Sequence, residues 1–130
     1  MRKVLGFLSG LLLLVSGFFH SYSGLPPLSD ALAADGVSAE IHLSVIIGWV
    51  FGSVAMLAFG VMMLVWALRV HRGESPSTAP AGAISVAYLC FGAVVFHVTD
   101  HDPRYLLFII TALLVGATVN WRRLMPTKAV

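Results

Sequence analysis

Four runs of apolar residues, Val4–Phe19, Ile41–Leu68, Ala81–Val98 and Tyr105–Val119, are separated by short polar stretches. Polarity does not alternate within them, whereas a membrane barrel shows dyad alternation over segments of about ten residues. The stretch Val45–Leu68 is apolar on every side. A helix rises about 1.5 Å per residue, so about 20 residues cross a hydrocarbon core of roughly 30 Å. The pattern predicts an all-α membrane protein: a four-helix transmembrane bundle made of two helical hairpins. Its spans lie at about 4–20, 41–68, 81–100 and 103–120 of a single domain, 1–130. The first, third and fourth spans are near the short limit, while the second has length to tilt or to project beyond lipid.

The polar punctuation predicts the caps. After the first run, Pro26-Pro27 is followed by Ser29 as a plausible N-cap and Gly36 as a plausible C′ residue, which brackets a short interfacial helix over Asp30–Asp35. Ser38 or Asp35 suits the start of the second span. Residues 73–80 are the linker-like stretch between the hairpins. Asp102-Pro103 fits an N-cap with Pro at N1, which ends the third span near His101 and sets His97 one turn inside. Helices in lipid associate through small residues. Gly6-xxx-Gly10, Ser44-xxx-Gly48-xxx-Gly52, Ala83-xxx-Ala87 and Ala112-xxx-Gly116 supply one such pattern per span.

Charge then orients the bundle. Seven of the eight basic residues (Arg2, Lys3, Arg69, Arg72, Arg122, Arg123, Lys128) flank one set of span ends, and Arg104 alone lies at the other. Basic residues in short loops stay on the cytoplasmic side, so both termini are expected there, with a bacterial inner membrane as the simplest setting. Tyr22 and Tyr105 at one boundary and Trp66 and Trp121 at the other fit aromatic belts. Arg2-Lys3 before an apolar run also resembles the start of a signal peptide, with small residues at Ser21 and Ser23 or Ala31 and Ala33. Pro26-Pro27 weighs against cleavage there, and the first run is read as a retained span.

Composition agrees with a lipid bilayer as the principal partner: 58% hydrophobic, 11% charged and mean hydropathy +0.92. The sequence pI near 9.0 reflects span flanks, and no nucleic-acid partner is expected. Cys90 is alone, which excludes an internal disulfide and a dithiol relay, and it reads as a small buried hydrophobe. Between the span ends His97 alone is a marginal ionisable group, and nothing resembles the membrane-embedded Glu that a small proton-coupled transporter would require. No Ser/His/Asp or Cys/His arrangement and no nucleotide signature stands out.

Chemistry is confined to the outer ends. His20, His42, His97 and His101 lie there with Asp30, Asp35, Glu40, Asp100 and Asp102. Advancing about 100° per residue, His20 shares a face with Ser9, Leu13, Ser16 and Gly17, and His97 shares one with Ala83, Val86, Cys90 and Ala93. Both faces are small enough to turn inward. His20 and His97 suit the axial positions of a b-type haem. Alternatively, His97 and His101, at i and i+4, suit a divalent metal completed by His42, Asp100, His20 or Glu40. The plainer reading leaves these histidines as interfacial groups satisfied by water and headgroups. Tyr88, within the third span, needs a partner for its hydroxyl. The sequence thus favours a small accessory or structural subunit of a larger membrane complex, or a homo-oligomer, without a catalytic motif. A redox or metal-binding protein using the outer histidines is the alternative.

Overall fold

Each apolar run becomes a helix, and the polar punctuation sets most of the ends. The computed structural model describes residues 2–124, with side chains as far as Val119. Trp121, Arg122 and Arg123 have side chains outside that set, and Lys128 lies outside the described residues. The helices are α1 (Arg2–Tyr22), α2 (Leu25–Ala34), α3 (Ala39–His71), α4 (Ala79–Val98) and α5 (Leu106–Leu124). Among the described residues there is no strand. Three helical segments are long and apolar enough to cross a membrane: Arg2–Ala34, which joins α1 to α2, then Ala39–His71 and Ala79–Val98. The apolar stretch Pro103–Val119 is shorter. This architecture fits an integral membrane protein in a lipid bilayer.

Two starts differ from expectation. The interfacial helix begins at Leu25 rather than Asp30, with Gly24 at its N-cap and proline in its first turn, where a missing N–H costs nothing. Ser29 therefore sits inside the helix instead of capping it. The last span begins at Leu106, because Pro103–Tyr105 forms a 3₁₀ turn capped by Asp102, which accepts from the Arg104 N–H. Other ends follow expectation. Ser38 caps α3 by accepting from the Ile41 N–H, and Gly36 takes φ +67° at C′ of α2. At 33 residues, α3 is about 50 Å long. It therefore overhangs any bilayer it crosses, and α2 lies against the overhang.

Helix α1 is central. It runs antiparallel along α3 and also packs on α5, while α4 packs on α5. On the α1–α3 seam, a Cβ at Gly10 would stand 2.7 Å from Leu64 Cδ2, and one at Gly60 would stand 2.9 Å from the Leu14 backbone nitrogen. These are backbone-to-backbone approaches that only glycine permits. Gly6 serves this seam as expected, but Gly48 meets nothing within 4 Å, and Gly60 takes the role foreseen for the Ser44–Gly52 pattern. On α4 the buried residues are Ala81, Ile84, Tyr88 and Gly92; Ala83 and Ala87 are exposed. The Ser85 hydroxyl ties α4 to α5 by donating to the Ala112 carbonyl at 2.7 Å. At the end of the bundle that holds the N-terminus of α1, the Arg2 guanidinium lies 4.8 Å over Trp66 and donates through Nε to the Thr118 carbonyl, while Trp66 Nε1 donates to the Ser77 carbonyl.

Candidate functional site

At the end of the bundle that holds His20, α3 and α4 stand apart, and two cavities open there. A cavity of about 510 Å³ is walled by α1, α3, α4 and α5 and includes Ser16, His20, Met56, Tyr88, Phe108 and Thr111. A second, of about 200 Å³, lies between α3 and α4 and shares Met56, Tyr88 and Phe108 with the first. The remaining walls of the second are apolar. Tyr88 thus stands at their common boundary. Its residue is only 7% exposed, and its hydroxyl has no hydrogen-bond partner among the described residues. Thr111, by contrast, is satisfied by the Leu107 carbonyl at 2.7 Å.

His20 occupies the inward face expected for it, half-buried above buried Leu13 and Gly17. Its ring stacks on Trp49 with centroids 3.9 Å apart, and Trp49 Nε1 donates to the His20 carbonyl at 2.8 Å. That pair explains an indole that neither aromatic belt accounts for. It closes the α1–α3 seam at the end away from Arg2.

The other histidines are placed differently. His97 is exposed, because α4 buries the Ile84–Tyr88–Gly92 face rather than the one carrying Ala83 and Cys90; Cys90 is exposed too. Both faces are largely apolar and each carries small residues, so the sequence does not separate them. His101 does not continue the helix from His97. Asp100 and His101 have φ of +52° and +66°, and the His101 N–H returns to the Phe96 carbonyl. The two rings meet edge to face with centroids 6.1 Å apart. Asp100 and Glu40 are exposed. Neither His97 nor His101 lines the cavity that holds His20. Among the described residues, no group of three or more His, Cys, Asp or Glu side chains is placed to hold a metal ion.

His42 lies half-buried between α2 and α3, with its Nε2 3.1 Å from the Ser29 hydroxyl. The sequence hid this contact because Ser29 reads as a cap and the two residues are far apart in the chain. The signal that can reveal it is the excess length of the second span, which leaves room for an outer helix to lie alongside. At the α4–α5 turn, Arg104 pairs with Asp102. Hydrogen bonds from the Arg104 side chain and backbone hold the Asp102 carboxyl below the usual carboxylate range.

No family model and no solved structure matches this chain. It is similar to the lysoplasmalogenases of Mycobacterium bovis and Mycobacterium tuberculosis, each 36% identical over 83 residues. That stretch covers 61% of this chain and 31% of each relative. The chain therefore spans about a third of the length of the curated relatives it matches.

Proposed function

We propose that this chain is a four-span integral membrane protein, with both termini cytoplasmic in a bacterial inner membrane, that binds a single-chain lipid in the cavity between His20 and Tyr88. The observation that carries this reading is the Tyr88 hydroxyl, buried without a partner where two cavities meet. A buried hydroxyl left unpaired costs about 1–3 kcal/mol, and a ligand that brings an oxygen to it recovers that cost. The cavity volume of about 510 Å³ falls in the range of small-molecule pockets, about 300–1,000 Å³. The similarity to lysoplasmalogenases supports the ligand class, since a lysoplasmalogen is a lipid with one long chain and a polar head. Neither an accessory-subunit role nor haem or metal binding at the outer histidines has an observation in its favour among the described residues.

Native mass spectrometry of the purified protein tests the reading. A lysophospholipid should add saturably at one copy per chain and in preference to a diacyl phospholipid. Tyr88→Phe should weaken that binding about fivefold, the equivalent of one hydrogen bond of about 1 kcal/mol. Equal uptake of both lipids, or no saturable adduct, overturns it.

A further inference from the structure

Ser29 on α2 and His42 on α3 form a polar pair outside the cavity at Tyr88. Their Oγ and Nε2 atoms are 3.1 Å apart, and both residues are half-buried. With its proton on Nδ1, the His42 ring accepts the Ser29 hydroxyl proton at Nε2, which is the relation of a nucleophile to its general base. The pair lines an open cavity of about 550 Å³, whose other walls are Leu25, Pro26, Ala39, Leu43 and Ile46. One polar edge and an otherwise apolar wall suit an amphiphile with a single reactive group. The cavity also reaches the start of α3. Ser38 accepts the Ile41 N–H through its side chain and the His42 N–H through its carbonyl. The Ala39 and Glu40 N–H groups, at the first two positions of α3, have no acceptor within the helix. Donors at a helix start stabilise negative charge, and Ala39 is itself part of the cavity wall.

We infer that Ser29 and His42 are the nucleophile and base of an esterase site on the outer surface, acting on carboxylic esters of single-chain amphiphiles. The inference does not rest on lipid binding at Tyr88. Ser29 Oγ adds to the ester carbonyl carbon as its proton passes to His42 Nε2. The tetrahedral oxyanion collapses, the C–O bond to the alcohol breaks, and His42 returns the proton to the departing alkoxide. Water then adds to the acyl-serine with His42 again taking the proton, and collapse releases the carboxylic acid and restores the Ser29 hydroxyl. Among the described residues no carboxylate is hydrogen-bonded to His42, so a slow catalyst is expected.

A fluorophosphonate probe applied to the full chain in detergent tests the site. Peptide mapping should place the adduct on Ser29, with none in Ser29→Ala, and His42→Gln should slow labelling at least 100-fold, the lower range of a general base. Wild-type protein that takes no probe at Ser29, or labelling undiminished by His42→Gln, overturns the inference and leaves the pair a clasp between α2 and α3. If Ser29→Ala does not fold, Ser29→Cys in a Cys90→Ala background provides a second measurement. Iodoacetamide should alkylate the new thiol faster with His42 present than in His42→Gln, and equal rates count against the inference.

Discussion

Along its α1 side, α3 is approached backbone to backbone; along its α4 side, side chains hold the neighbour away. The first seam is built on Gly6, Gly10, Gly17 and Gly60, with Leu14, Leu57 and Leu64 laid over the glycines opposite. The second presents Phe59, Tyr88, Phe91 and Phe108 around an apolar cleft, and Phe59 and Tyr88 keep their ring centroids 6.3 Å apart. Both seams are largely apolar. Lipid tails are as apolar as leucine, so burial alone gives neither seam an advantage. What differs is side-chain size at the crossing: glycine lets dispersion contacts form along whole backbones, and rings leave space. The open seam also buries the Tyr88 hydroxyl without a partner, while on α1 the Ser9 hydroxyl is buried unpaired among close-packed small residues. Stability and ligand space are thus divided between two faces of one helix.

Enlarging the closed seam should have the largest effect. Gly60→Leu drives a side chain into the Leu14 backbone, and overpacking of this kind should cost of order 3 kcal/mol, read as a lower midpoint in mixed-micelle unfolding. Gly48→Ala, on the same helix but with open space around it, should stay within about 1 kcal/mol of the parent. Equal losses at the two sites would remove the distinction between the seams.

Tyr88→Phe should act on the open seam with the opposite sign. It deletes the unpaired hydroxyl, so the lipid-free protein should gain about 1–3 kcal/mol while lysolipid affinity falls. A variant that loses both stability and affinity would mean that Tyr88 is a packing residue only.

The smallest effect belongs to the turn between α4 and α5, which lies in neither seam. Arg104 holds the Asp102 carboxyl below its unfolded pKa. The pair therefore contributes stability above about pH 4, the unfolded value, and loses it as pH falls through the lower folded value. Between pH 6 and pH 3 the parent's melting temperature should fall slightly further than that of Asp102→Asn. The difference is small because the pair is open to water, and identical profiles would assign the Asp102 cap no electrostatic part.

Helix positions are legible because run length, Ser38 and Gly36 are local signals that hold in the structure, while Asp102-Pro103 caps a 3₁₀ turn that precedes the last helix. Partner faces were less so. His20 was recoverable from its company of Ser9, Leu13 and Gly17. His97 was not, because α4 has small residues on two faces and hydrophobicity does not separate protein-facing from lipid-facing positions in a membrane helix. Tyr88 announced a need for a partner without naming one, and the cavities around it depend on how four helices splay. Ser29 is ambiguous in the sequence for a simpler reason. Its side chain suits a cap, and only the return of α2 along the overhang of α3 gives it His42.

The central position of α1 has a consequence for biogenesis. This helix precedes every segment it packs against, and Arg2 meets a carbonyl 116 residues further along the chain. Until α3 has been inserted, its glycine face has no helix to pack against. The α1–α3 seam can therefore close only once α3 is in place, and anything that recognises an unpaired glycine face would encounter α1 during that interval.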